Sequence, residues 1–546
     1  MDTKQRVFII GLDGATFDLL LPLIEQGDMP TLKSLIARGV AARLTSTIPP
    51  VTAPAWVTFQ TGVNPGKHGL VEFLQPAPDY SAQLATAGDV SAQSIWTILS
   101  GVGKKVITIN VPLTYPPRPV NGFVVSGMLA PNTEVEFTAP PELGQELLQQ
   151  VPGYQVMPLQ NLAYVGLEKF VANMCDVIDK RAQAALYLMQ RADWDVFMVH
   201  FQATDVLQHA LWSHLDPRHA DYARIPATER DRVRQFYRRL DENLTRVIAA
   251  VDAQTDIVVM SDHGFGSAVK RIYINQWLAN EKYLTLTTSP ATLKALGMLE
   301  DVVRRVDVLK LRRRIKPAFG QRDQMLRGLT QDRFIDWTQS QVFGFSGTHF
   351  ANVYVNRRGR FAHGTVSPEE ADRLCAEIAA KLLQWTEPET GVRLIEQVYR
   401  RDEVYHGPQV EWLPDLMVRP RDGYIFETRF KRGWLTGPLP VDLTGVHRMD
   451  GIFIGVGPRF RAIAPMGTAA LIDMPPTLLY LLNTPVPHEM DGRILTEFIQ
   501  PEYVAQHQAG TSATPVVMPL GAVDESSYTP EEEQTILDHL ARLGYV

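Results

Sequence analysis

The sequence predicts an α/β fold, with a mostly parallel central sheet, helices on both faces and an inserted helical cap. Three observations carry this. Apolar runs such as VFIIGL (7–12), WDVFMVHF (194–201) and DIVVM (256–260) read as strands buried on both faces. Helix-spaced segments alternate with them, as in sheets flanked by helices. An aspartate follows each of the three runs: Asp13, Asp205 and Asp262.

Taken in order, VFIIGL closes at Asp13-Gly14 and a helix follows. A second helix, TLKSLIAR (31–38), is stopped by Gly39. Residues 45–70, TSTIPPVTAPAWVTFQTGVNPGKHGL, hold Thr52 between Pro49, Pro50 and Pro54. Proline fixes φ and restricts its predecessor, so Thr52 is expected in a rigid, non-helical segment that opens a helix. Ala55, Trp56 and Phe59 continue that helix, and Gly62 and Pro65 end it. Thr52 reads either as an N-cap or as a nucleophile whose target anion faces the first N–H groups of the helix.

IWTILSGVGKKVITINVP (95–112) reads as helix, glycine turn and strand, and GFVVSG (122–127) as another strand. Residues 140–190 read as helical, with Pro141 and Glu142 at the start. A long amphipathic helix over 231–251 leads into DIVVM. The alternation weakens over 277–343. That stretch is helical and carries seven Lys/Arg between Arg304 and Lys316. It reads as a cap, and its basic run as a solvated helix face or a receiver of anionic substrate. ANVYV (351–355), a helix over 368–384 and GIFIGVG (451–457) restore the pattern. Residues 501–528 read as a linker. The last helix starts at a Thr529–Glu532 capping box, with Pro530 at its first position. The expected division is a core in two parts, 1–276 and 344–500, a cap over 277–343, and a linker with a C-terminal helix over 501–546.

Composition narrows the function. The chain has 546 residues, 45% of them hydrophobic, and a net charge of −7, which disfavours binding to a nucleic-acid duplex. Two cysteines exclude a disulfide scaffold and a cysteine-rich zinc site. MDTKQR runs straight into a strand too short for a signal-peptide core, and no run approaches the roughly 18 apolar residues of a membrane span. The expectation is a soluble, cytoplasmic protein with no transmembrane segment.

Three aspartates after strands can meet in one crevice, because sites in open α/β sheets form beyond the carboxyl ends of the strands. Asp205 and His209 are four apart and share a helix face, as two ligands of one metal can. Asp262 and His263 are neighbours on a turn softened by Gly264 and Gly266. His447, in GVHRMDG, can complete the set, with His349 in GTHFAN in reserve. Asp, His and Thr oxygen and nitrogen donors suit zinc or manganese. Two such ions assist hydrolysis of an anionic phosphoryl or sulfuryl group by positioning and neutralising charge.

These residues resemble the type I phosphodiesterase/nucleotide pyrophosphatase family of the alkaline phosphatase superfamily. The resemblance rests on Asp13 in GLDG, Thr52 in PPVTAPAW, the TG..P..HG run from Thr61 to Gly69, TDVLQH, SDHGFG, GVHRMDG and the late run IDMPPTLLYLLNTPVPHEMDGRIL. It covers about residues 5–270 and 340–500. It implies an alkaline phosphatase-like core and a phosphodiesterase or pyrophosphatase with two divalent ions, zinc before manganese. Asp205, His209 and His447 would hold one ion. Asp13, Asp262, His263 and the Thr52 oxygen would hold the other. Thr52 would form a phospho-threonine intermediate with a small anionic phosphate ester.

Two positions depart from the family. Glu72-Phe73 stands where an asparagine amide is usual, so Lys67 or the Thr52 N–H would have to serve the phosphoryl oxygen, and an ionised Glu72 would repel it. Arg448 follows His447 where glycine is common. It can contact a substrate phosphate or pair with a surface acid. The competing functions are a phosphomonoesterase, a phosphoglycerate-mutase-like phosphotransferase and a non-catalytic binding module. Thr52 excludes a sulfatase, which needs Cys or Ser there.

Overall fold

The first strand sorts its side chains to two sides. In β1 (Arg6–Leu12), Phe8, Ile10 and Leu12 enter one hydrophobic core, and Val7 and Ile9 enter a second. That is the two-residue period of a strand buried on both faces. The computed structural model describes residues 5–158, 162–287, 334–430, 435–440, 442–507, 510–512 and 528–543. The basic run at 304–316, and most of the stretch read as cap and linker, lie outside them.

The elements that build the centre follow in order. They are α1 (Phe17–Glu25), α2 (Pro30–Arg38), β2 (Val40–Thr45), α3 (Thr52–Thr61), α4 (Ile95–Gly101), β3 (Val106–Val111), β4 (Gly122–Ser126) and β5 (Thr138–Ala139). Next come α5 (Leu167–Arg191), β6 (Val196–Phe201), α6 (Ala203–Leu215), α7 (Ala227–Ala249), β7 (Thr255–Met260) and β8 (Gly264–Ser267). The chain continues through β9 (Val342–Gly344), β10 (Ala351–Val355), α8 (Pro368–Leu383), β11 (Ile395–Arg400), β12 (Leu416–Pro420), β13 (Gly445–Arg448) and β14 (Asp450–Val456). It ends with β15 (Ile463–Ala470), α9 (Met474–Leu481) and α10 (Pro530–Leu543).

Nine strands form the central sheet, in the order β15-β2-β14-β7-β1-β6-β3-β4-β5. The pairings of β1 with β6 and β7, β3 with β4 and β6, and β2 with β15 are parallel, whereas β14 runs antiparallel between β2 and β7. The α/β class read from the sequence is the one observed. Side chains of α1, α2, α5 and α7 cover one face, and those of α4 and α9 the other. Strands β9-β10-β12-β11 form a separate antiparallel sheet, which with α8 has its own core. The expected capping box at the last helix is present, with Thr529 N–H on Glu532 at 2.8 Å and Glu532 N–H on Thr529 at 3.3 Å. No described helix is long and apolar enough to cross a membrane.

Register places the three aspartates. Leu12 lies opposite Phe201, and Gly11 opposite Met260. The chain therefore leaves β1, β6 and β7 at one edge, where parallel strands present their carboxyl ends. Ser261 ties that edge together. Its N–H donates to the Ile452 carbonyl at 3.0 Å, its Oγ accepts from the Ile452 N–H at 2.8 Å, and its hydroxyl donates to the Ala15 carbonyl at 2.8 Å. Ser261→Ala would leave a buried N–H and a buried carbonyl short of a partner. We expect a loss of about 3 kcal/mol in urea unfolding; a loss below about 1 kcal/mol would mean that these groups find other partners.

Candidate metal centre

Each element delivers its residue for a local reason. Gly14 has φ +65°, and a Cβ there would meet the Phe265 ring at 2.7 Å, so the turn after β1 requires glycine. That turn lets Gly14 N–H donate to Asp262 Oδ1 at 3.1 Å. Asp205 and His209 share a face of α6, as their spacing predicts, with 3.4 Å between Oδ1 and Nε2. His447 arrives across the β8–β13 pair, where it lies opposite Phe265. Thr52 differs from expectation. It is the first residue of α3 and not a cap or a non-helical residue; Val51 is the cap. Pro54, in the first turn, lacks an N–H that the helix does not use there, so the helix begins upstream of it.

Three histidines are held alike. The Nδ1–H groups of His209, His263 and His447 donate to the carbonyls of Gly445 (3.1 Å), Gly264 (3.1 Å) and Pro50 (2.9 Å). A carbonyl only accepts, so in each neutral ring the Nε2 carries a lone pair. All three lone pairs face the same crevice. His209 Nε2 and His447 Nε2 are 3.0 Å apart, and His447 Nε2 is 3.1 Å from Asp205 Oδ1. His263 Nε2 lies 3.2 Å from Asp262 Oδ2, 3.5 Å from Asp13 Oδ1 and 3.2 Å from Thr52 Oγ1. The structure thus brings all seven predicted residues together in two adjoining groups. Every one is buried, and Asp13 Oδ1 and Asp262 Oδ2 have no hydrogen-bond partner.

A cation fits these donors. Ligand atoms around a tetrahedral zinc ion with bonds of about 2.0–2.2 Å lie about 3.3 Å apart, close to the spacings in both groups. Burial, then the Asp205 charge, pushes the Asp13 carboxyl well above the ordinary range, and burial, then the Asp13 charge, does the same to Asp262. Burial pushes Asp205 up as well, but His209 and His447 outweigh it and hold the group well below. His263 and His447 are pushed down to about 4 by burial, so they are neutral and able to ligate at neutral pH. A divalent ion would supply the positive charge that the crowded carboxyls lack.

Several neighbours were not foreseen. His200, inside β6, faces Asp13 Oδ2 at 2.9 Å and donates Nδ1–H to the Asn110 carbonyl at 2.9 Å. Trp56 Nε1 also reaches Asp13 Oδ2, at 3.3 Å, and Thr204 donates to the Asp13 carbonyl at 2.6 Å. A histidine inside an otherwise buried strand was the available signal for His200. His349, the residue held in reserve from the sequence, stacks on His447 at 3.6 Å, and its Nδ1 accepts the His447 N–H at 3.4 Å. Its Nδ1 is therefore an acceptor, unlike that of the other three rings.

The departures resolve differently. Lys67 pairs with Asp491 and donates to the Glu489 carbonyl at 2.7 Å, so it is committed away from the phosphoryl position proposed for it. Arg448 pairs with the exposed Asp422 at 3.4 Å and also lines an open cleft with His349, His447 and Arg419. Glu72 is buried, accepts from Phe73 N–H at 3.0 Å, and is pushed by burial from its ordinary 4.5 up to about 8. It is protonated at neutral pH, which removes the repulsion expected of an ionised side chain.

A family model described as type I phosphodiesterase / nucleotide pyrophosphatase matches residues 7–450. Phosphonoacetate hydrolase from Sinorhizobium meliloti 1021, solved with phosphonoacetate, is 16% identical, with a TM-score of 0.53 over 88% of this chain and 96% of that one. An inactive variant of murine ectonucleotide pyrophosphatase/phosphodiesterase 5, solved with AMP, is 13% identical, with a TM-score of 0.51 over 91% and 100%. These likenesses are of fold. No curated protein matches the sequence.

Glu72 gives a test with a defined sign. The folded state holds its proton up to about pH 8 and the unfolded state only to about 4.5, so wild-type stability falls as pH rises through that window. Glu72→Gln removes the dependence. Its stability relative to wild type should rise between those pH values and level off above them, measured by urea unfolding. A pH-independent difference would show Glu72 ionised in the fold.

Proposed function

The chain belongs to the type I phosphodiesterase / nucleotide pyrophosphatase family and is a hydrolase of phosphoric ester or anhydride bonds; from that premise we propose that Thr52 is its nucleophile, beside two divalent ions, zinc in our reading. The observation that carries this is the paired lone pairs. His209 and His447 aim Nε2 atoms at each other across 3.0 Å, beside the Asp205 carboxylate. Without a cation between them that arrangement is repulsive.

Asp205, His209 and His447 would hold one ion, and Asp13, Asp262, His263 and Thr52 Oγ1 the other. Bound there, the ions supply Lewis-acid charge at the phosphoryl oxygens and lower the pKa of a hydroxyl. The rest belongs to the chain. Thr52 Oγ1 bonds to phosphorus as the bond to the leaving oxygen breaks, and a phospho-threonine results. Water then attacks that phosphorus and restores the hydroxyl. The first α3 bond within the helix runs from Ala55 N–H to Val51, so the preceding amides lie outside its ladder, at the end that favours an anion. The Pro50 carbonyl that orients His447 lies two residues before Thr52, so one rigid turn sets both nucleophile and ligand. The Trp56 N–H holds Asp13 from behind. We place the remainder of an anionic substrate in the cleft between His447 and Arg448.

Thr52→Ala should keep its metal content and lose roughly 10³-fold or more in kcat on bis-p-nitrophenyl phosphate, while Thr52→Ser retains part of the rate. A near-wild-type rate in Thr52→Ala would remove Thr52 from this role.

A further inference from the structure

The second half of α3 forms one wall of another, partly open cavity that contains none of the residues of the metal centre. Val57, Trp96, Leu113, Val120 and Val124 make much of its lining.

Most polar groups on the wall are already committed. Gln60 accepts from Trp96 Nε1 at 3.0 Å and donates to the Pro112 carbonyl at 3.0 Å. Ser94 and Thr97 bond each other at 3.1 Å. Thr61 donates to the Val57 carbonyl at 2.7 Å, and Thr114 to the Val111 carbonyl at 2.6 Å. Two groups differ. Thr108 is 1% exposed, and its Oγ1 has no hydrogen-bond partner. Arg118 is half-buried. One of its terminal nitrogens donates to the Ala87 carbonyl at 2.9 Å, but its buried Nε has no partner. Burial lowers its pKa, and among the described residues no carboxylate is paired with it.

A guanidinium partly withdrawn from water without a counter-charge is costly, and an anion with matching acceptors offsets that cost. Apolar walls select the rest of such a ligand. We propose that this cavity binds a monocarboxylate with a hydrocarbon body. The carboxylate meets Arg118, the chain lies along Val57, Trp96 and Val124, and Thr108 offers a second polar contact. Every residue involved lies outside the groups around Thr52, so the proposal does not rest on the proposed reaction.

The test is calorimetric titration of decanoate, below its micellar concentration, into the full chain, with decan-1-ol as a neutral control. Decanoate should bind with one site per chain, at least roughly tenfold more tightly than decan-1-ol, as expected for hydrogen bonds to a charged group. Arg118→Gln should weaken decanoate by a similar factor, leaving turnover of bis-p-nitrophenyl phosphate unchanged. Absence of decanoate binding, equal binding of decan-1-ol, or undiminished binding by Arg118→Gln would each overturn the proposal. The comparison with decan-1-ol needs no variant and holds if Arg118→Gln does not fold.

Discussion

Three hydrogen bonds to backbone carbonyls govern the centre. Pro50, Gly264 and Gly445 each take the Nδ1 proton of a histidine, and each leaves an Nε2 lone pair aimed inward. Side chains could rotate away from such a concentration of lone pairs, but carbonyls fixed in a turn and in paired strands do not let them. The arrangement is held by the fold before any ligand arrives. Pro50 has the widest reach, because its rigid segment also sets where α3 begins and so where Thr52 lies.

Burial then sharpens the electrostatics. Asp13, Asp205 and Asp262 emerge from one sheet edge into a volume closed to solvent, and two of them resist ionisation as a result. In such a medium the carboxyls either keep protons or gain cations. Asp13 Oδ1 and Asp262 Oδ2, buried without hydrogen bonds, leave room for the second outcome. The outer supports are in place: the Trp56 N–H on Asp13, and the Gly14 N–H on Asp262. Such supports orient ligands and tune them.

The sequence exposes what is local and conceals what is not. Asp13, Asp205 and Asp262 are visible because each follows an apolar strand, and His209 because four residues make one helical turn. The α/β class is visible for the same reason, since periods of two and 3.6 are written in the side chains. His447 has no local signal beyond its motif. Its place depends on the β8–β13 pairing, which joins segments about a third of the chain apart. His200 stands out as a polar ring inside an apolar strand, but the group that it faces, Asp13 on the neighbouring strand, is not local to it. The states of Lys67 and Glu72 were not legible because they depend on a distant partner and on burial. Asp491 captures the lysine, and desolvation keeps the glutamate protonated. The separate sheet β9-β10-β12-β11 could not be told from the central one, since both are built from similar short apolar runs.

On the reading proposed above, each of the two groups of donors holds one metal ion. Anomalous diffraction at the zinc edge, from crystals grown with zinc and without chelator, tests it most directly. Two peaks are expected, one within ligand distance of Asp205, His209 and His447, and the other within ligand distance of Asp13, Asp262, His263 and Thr52. A crystal with no peak there, or with a single ion that leaves either group empty, would contradict it.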